Sequence, residues 1–351
     1  MQKIVVIECD DWGGIRMPSK EVYDRLLKDG LSVDKNRFTR YDTLADKQDL
    51  DFLFETLCSV RDSKGRPAVM TPVSNVANPD FERIKASGFE QYFYEPFTVT
   101  LQKNGRDPAT FESWKQGIRE GIFVPELHGR EHLTVQLWLK KLREGDRKVR
   151  LAFENEFVSV DTEGTPLPAR QFRPEFFFDS PHQKSFLDKS IVSGTELFIN
   201  LFGYKPTVFV PSNGIFHSSL EPAFSLTGIP FIYSGHGIPD YNTDGTVTWR
   251  RHTFGQKSPL GFRYYMRNCA FEPTDNSYTG IDFTLRQVEA AFRWHKPALI
   301  SSHRVNFVGK INPANRDMGL SQLKLLLKAI VKQWRDIEFM SSRELFSLIK
   351  E

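Results

Sequence analysis

Short β-branched runs alternate with amphipathic helical stretches along most of this chain, and few folds accept that order. Lys3 to Cys9 is the first such run, ending in acid and glycine. SKEVYDRLLKDG follows, with Val22, Leu26 and Leu27 on one face and Gly30 as its stop. DLDFLFETLCSVRD then leads into PAVMTPVSNVA, a second inner-strand pattern, and NPDFERIKASG follows with Asn78 as N-cap. Further strand patterns at Thr207 to Val210, Pro230 to Tyr233, Ala298 to Ser301 and Ile337 to Met340 alternate with helical ones up to SSRELFSLIK. Strands separated by helices predict a parallel sheet, open or closed. At 351 residues, one elaborated (β/α) barrel spanning 1–351 is the economical architecture. Two stretches break the rhythm and read as insertions. Residues 89–118 are aromatic-rich and turn at Asn104 and Gly105, and within residues 241–270 TVTWRRHTF and GFRYYMRN read as a hairpin.

Charge names no partner. Lys and Arg total 47 against 44 Asp and Glu, a balance that argues against nucleic acid or an anionic membrane. With 40% hydrophobic and 26% charged residues the chain can bury a core. Three scattered cysteines, Cys9, Cys58 and Cys269, form neither a CxxC nor a disulfide framework. The N-terminal apolar stretch, Ile4 to Ile7, is too short for a signal peptide or a span. These features predict a protein of the cytoplasm with no transmembrane segment; they leave its oligomeric state open. No GxGxxG follows the first strand and no Walker sequence occurs, so nucleotide binding has no motif behind it.

The chemistry-bearing residues stand at expected strand ends. Asp10 and Asp11 leave the first strand together before Gly13 and Gly14, so their carboxylates point in different directions and can divide a task. His128 and His132 form HxxxH in PELHGREH, and four-residue spacing can set both imidazoles on one side of a helical turn. Asp11 would complete an Asp-His-His metal set if the strand ends converge. His303, just beyond Ala298 to Ser301, would face that centre from the opposite side. Trp12 adjoins the aspartates and is the candidate sugar-stacking ring.

Taken in order, IECDDWG, HGREH and ISSHRVNF resemble the TFDDG, HxxxH and terminal LxH elements of the polysaccharide deacetylase family, the NodB-homology type of carbohydrate esterase. FGYKPTVFVPSNGIF is similar to that family's stretch around FRPPYG, and the closing KLLLKAIVKQWRDIEFMSSRELFSLI is similar to its final helix, strand and helix. The resemblance implies a distorted (β/α) barrel of about seven parallel strands with inserted segments. It also implies hydrolysis of an N- or O-acetyl group on a saccharide. Asp11, His128 and His132 would hold one divalent ion, Zn first, with Co, Ni, Mn or Fe as alternatives; Asp10 would be the base and His303 the acid.

Two departures qualify the resemblance. The arginine of FRPPYG, which orients the base, is Val210 here, and its tyrosine position is Asn213. Arg173, Arg130 or Arg304 are the candidate replacements. The family's aspartate and tryptophan element is missing, and YSGHGIPD offers His236 and Asp240 instead. Asn213 and His236 therefore join Trp12 as expected substrate-binding residues. The losses keep open a catalytically inactive sugar-binding or scaffold protein. A glycoside hydrolase pairing Asp10 with Glu8 or Glu126 is a third reading, though it leaves the histidines unexplained.

Overall fold

The computed structural model describes residues 2–105 and 108–349; positions 106 and 107, inside the first expected insertion, and the chain ends lie outside the described residues. The N-terminal run extends further than its pattern predicts. β1 spans Lys3–Trp12 and carries both aspartates within the strand rather than after it. β2 (Met70–Asn75) lies beside it, while β3 (Ala77–Pro79) and β4 (Tyr94–Pro96) form a small antiparallel pair. β5 (Glu126–Gly129), β6 (Val208–Phe209) and β7 (Phe231–Tyr233) continue the sheet in parallel. β8 (Gly237–Tyr241) and β9 (Val247–Arg251) make a separate hairpin. β10 (Arg263–Tyr265) and β11 (Cys269–Ala270) are the two edges of the main sheet. β12 (Ala298–His303) and β13 (Ile337–Phe339) both pair with β1.

The main sheet runs β10-β7-β6-β5-β2-β1-β12-β11, with β13 on β1, nine strands where about seven were expected, and its ladders are parallel. Its two edges, β10 and β11, are joined by residues 266–268 alone, so the sheet curls on itself as a distorted, incompletely closed (β/α) barrel. The expected hairpin of TVTWRRHTF with GFRYYMRN does not form. The first of these strands, β9, pairs with β8, and the second supplies barrel strand β10. A β-branched run signals a strand but not its partner, so a stretch read as an insertion holds both barrel edges. Asn78, expected as an N-cap, yields that place to Asp80; its side chain instead accepts from Ile15 N and donates to Gly13 O, clamping the turn after β1.

Alternation along β1 separates two cores. Val5, Ile7 and Cys9 face outward onto Leu50, Leu53 and Leu57 of the helix Lys47–Cys58 and Leu323 and Leu327 of the helix Pro313–Gln333. Ile4 and Val6 face the barrel interior with Val73, Val208 and Leu299, sealed below by Phe346 of the C-terminal helix Ser342–Ser347. Burial on both faces is why β1 reads as a continuous apolar run. The inward row continues with Glu8 and Asp10. Glu8 is 0% exposed and is held by Ser342 Oγ at 2.6 Å, Tyr265 OH at 3.1 Å and Arg267 Nε at 2.5 Å. Glu126 is equally buried; its carboxylate accepts the backbone N–H groups of Thr207 and Val208, and burial raises its pKa to about 8. Neither glutamate reaches the barrel mouth, which removes both partners the glycosidase reading needs.

Candidate functional site

Between Cys9 and Trp12 the β1–β2 register slips, and Asp11 takes φ 72 in that irregularity. A left-handed non-glycine residue inside a strand bulge is re-aimed out of the in–out alternation. That is why neighbouring aspartates serve different partners. Gly13 fixes the turn that follows: at φ 73, a Cβ there would meet Asn75 O at 2.1 Å.

Asp11 Oδ2 accepts from Arg16 Nη2 at 2.9 Å, while Oδ1 faces His132 Nε2 at 3.3 Å and His128 Nε2 at 3.6 Å. The histidines do not share a helical turn as expected. His128 is on β5 and His132 follows in the loop, beyond the reversal at Gly129, φ 114. Their Nδ1 atoms lie 2.8 Å from Val210 O and 2.6 Å from Arg173 O. A carbonyl only accepts, so each Nδ1 carries the proton and each Nε2 is the nitrogen turned towards Asp11. Burial, reinforced by the Arg173 charge, holds the His132 pKa well below the usual range. Burial opposes ionisation of Asp11, but Arg16 and the two histidines outweigh it and hold the carboxyl well below the ordinary carboxylate range. The two Nε2 atoms and Asp11 Oδ1 thus face one another at 3.6 and 3.3 Å, longer than a good hydrogen bond. Two ligands about 2.1 Å from a tetrahedral ion sit about 3.4 Å apart. The observed 3.3 and 3.6 Å fit that requirement, and the three ligand atoms lie within 4.8 Å of one another.

Asp10 stands on the inward row opposite His303 of β12. Both its oxygens are taken by one guanidinium: Arg267 Nη1 and Nη2 each lie 2.7 Å from a carboxylate oxygen. Burial raises the Asp10 pKa, Arg267 lowers it more, and the net displacement is downward. The arginine absent at Val210 is thus supplied from the three-residue link across the barrel seam. The three expected replacements do other work: Arg130 pairs with Glu131, Arg304 with Asp42, and Arg173 offers His132 its carbonyl. The Val210 substitution costs nothing at His128, which uses only the backbone oxygen there.

His303 Nδ1 lies 2.6 Å from Glu272 Oε1. Burial alone would lower the imidazole pKa, but the Glu272 carboxylate carries it up to about 9, so the ring is protonated at neutral pH. Glu272 is itself anchored by Arg37 and by Asn306 Nδ2. Arg16, Arg267 and Glu272, the charged partners of Asp11, Asp10 and His303, are what sequence reasoning missed. Only the side-by-side acids, which need counter-charges when buried, hinted that cations had to come from elsewhere.

Both aspartates, the three histidines, Arg16 and Arg267 line a cavity of about 600 Å³, with Glu272 behind His303. Asn213, expected to bind substrate, lines the cavity in a left-handed turn at φ 57. Trp12 does not: it is 1% exposed and packs edge-on against Trp114 and Phe123 in the outer core. By count Trp12 would join the inward row of Glu8 and Asp10, but the register slip at Asp11 resets the alternation and turns its ring outward; Phe38 and Tyr233 are the aromatic rings on the cavity wall. His236 also lies elsewhere, exposed beside a second, largely apolar cavity of about 420 Å³ with Met266 and Trp294. Asp240, offered with it, is buried against Arg250 and Ser218 N. Among the described residues no helix is long and apolar enough to cross a membrane, and the three cysteines are unpaired.

No family model matches the sequence, and no curated protein matches it. Solved structures do match. A Mycobacterium smegmatis protein assigned as a polysaccharide deacetylase is 10% identical at a TM-score of 0.45, over 99% of this chain and 90% of that one. A 4-α-glucanotransferase from Thermococcus litoralis is 10% identical at a TM-score of 0.48, over 99% of this chain but 40% of its own. A family 4 acetyl xylan esterase from Clostridium thermocellum, solved with a cobalt ion, is 13% identical at a TM-score of 0.36, over 99% of this chain and 92% of that one. Polysaccharide deacetylases are thus among the proteins this chain is similar to in fold. What it does is read from its own side chains.

Proposed function

We propose that the protein is a divalent-metal hydrolase that removes an N- or O-acetyl group from a carbohydrate. The observation that carries this reading is the meeting of three kinds of group on one cavity wall: an ionised Asp11 facing two imidazole Nε2 atoms, a carboxylate clamped by arginine, and an imidazolium held by glutamate. Asp11, His128 and His132 would hold the ion; this donor set suits Zn first and also accommodates Co, Ni, Mn or Fe. When bound, such an ion polarises an acyl carbonyl and acidifies a water. Asp10, kept ionised by Arg267, acts as the base that takes the water's proton. His303, kept protonated by Glu272, acts as the acid that returns a proton to the departing amine or alcohol. Phe38 and Tyr233 offer ring faces to a sugar, with Asn213 as a polar contact. The Arg267 clamp on Asp10 weighs against the binding-only alternative, which rested on a missing arginine. Three unpaired thiols support work in a reducing compartment such as the cytoplasm.

A panel of partially acetylated oligosaccharides tests this directly. The expected result is acetate release without new reducing ends, reduced by about 10²- to 10⁴-fold in Asp10→Asn. New reducing ends, or undiminished turnover by that variant, would contradict it.

The pH dependence follows from His303. Its acid form is complete at neutral pH and is lost as pH rises through about 9, so turnover falls on the alkaline side. In Glu272→Gln the ring loses the carboxylate that raises its pKa while remaining partly buried. The alkaline limb should then move down by about 1–3 pH units, and a limb that stays in place would show that His303 is not the acid.

A further inference from the structure

The cavity carries more positive charge than its own carboxylates neutralise. Arg16, Arg170, Arg173 and Arg267 line it against Asp10, Asp11 and Asp161. Asp10 is taken by Arg267, Asp11 by Arg16, and Asp161 accepts from the Gln171 amide at 3.2 Å. Arg170 and Arg173 have no carboxylate within 4.0 Å among the described residues. Arg170 is exposed at the mouth, but Arg173 is only 6% exposed. Its Nη1 reaches Ser159 Oγ at a distant 3.5 Å, and its buried Nε has no hydrogen-bond partner. Burial, and then the Arg16 charge, work against this cation. Guanidinium nonetheless keeps its proton in proteins. A desolvated, unpaired charge is unfavourable unless an incoming group supplies the counter-charge.

The chain around Arg173 is built to hold it there. Gln171 and Phe172 are consecutive non-glycine residues at φ 56 and φ 55, a strained pair of the kind found where a fold over-determines a functional segment. Fully buried Phe172 anchors one side and receives Thr134 N at its carbonyl at 2.7 Å, while the Arg173 carbonyl is fixed by His132 at 2.6 Å. The backbone therefore serves the candidate metal centre while the side chain faces the same cavity.

We propose that Arg173, with Arg170 at the mouth, forms a subsite for an anionic group, carboxylate or phosphate, on the saccharide whose acetyl group is removed. The planar fork of guanidinium donors matches either group. This assignment rests on the deacetylase reading for its substrate but not for the anion site itself, and the test separates the two. Acetate release is compared on a neutral N-acetylglucosamine oligomer, an oligomer with a neighbouring uronate, and N-acetylglucosamine 1-phosphate. Thermal unfolding of metal-free protein is followed with millimolar inorganic phosphate.

At least one acidic substrate should exceed the neutral one in kcat/KM by about tenfold or more, and the preferred arm identifies the anion. That ratio should collapse towards unity in Arg173→Met and recover partly in Arg173→Lys, as loss of one charge-assisted pair predicts. Phosphate should raise the unfolding temperature of the parent and leave Arg173→Met unmoved. Arg173→Met should itself fold, since it removes an unpaired buried charge. Equal kcat/KM on acidic and neutral substrates, or equal phosphate shifts in parent and variant, would overturn the subsite. A phosphate shift that depends on Arg173, with no acetate released from any saccharide, would support the subsite and retire the deacetylase reading.

Discussion

Arg267→Met is expected to lower the unfolding temperature by about 5–10 °C and to reduce acetate release by at least about a hundredfold. One guanidinium here serves two buried carboxylates, Glu8 below and Asp10 at the mouth, with a further contact to Ser301 Oγ at 3.1 Å. Methionine keeps much of the volume and removes the charge. Glu8 retains Tyr265 and Ser342 as donors, but Asp10 loses both of its strong ones. Breaking a buried pair by removing one partner costs about 3–5 kcal/mol, because the remaining charge stays desolvated. The sign of the catalytic effect follows from the same balance. Burial then governs Asp10 unopposed by Arg267 and raises its pKa, so less of the base is ionised at neutral pH. Residual turnover should therefore increase with pH where the parent is level. Circular dichroism melts and a pH–rate profile check both parts; an unchanged profile would mean that Arg267 does not tune the base.

How far the sequence carried this site depended on where each group sits. Asp10, Asp11, His128, His132 and His303 were legible because each lies at or next to a strand end, and parallel strands deliver those ends to one edge. The roles of their partners were not legible. Arg267 stands 257 positions from Asp10 within GFRYYMRN, which read as one arm of a hairpin, and only the curl of the sheet brings the two together. Val210 looked like a loss because the family pattern is written in side chains, whereas His128 needs a carbonyl oxygen that any residue supplies. Trp12 misled because regular alternation would set it on the same face as Asp10, whereas the register slip between them turns its ring to the outer core. That same irregularity, invisible in the letters, puts the Asp11 carboxylate on the cavity. HxxxH suggested a helix by its spacing, yet a strand followed by a glycine reversal brings the rings to 5.1 Å just as well.

The remaining large effect concerns the ion itself. With Nδ1 of both histidines committed to backbone carbonyls, the two Nε2 atoms and Asp11 Oδ1 form a preorganised set, so little reorganisation opposes binding. Binding to the folded state alone also stabilises it by mass action, so a chelator should lower the unfolding temperature as well as abolish acetate release. Arg16 holds Asp11 from its other oxygen. Asp11→Ala therefore removes a candidate ligand and leaves Arg16 partly unpaired, whereas His128→Ala removes a candidate ligand alone. The two variants together distinguish loss of the site from loss of the fold. Elemental analysis of the protein purified without added metal, repeated on Asp11→Ala and His128→Ala after melting curves confirm that they fold, is the most direct measurement. About one divalent ion per chain in the parent and almost none in either variant is the expected result. A parent that takes up no ion even when Zn is supplied, or variants that keep it undiminished, would contradict the metal centre on which the proposed chemistry depends.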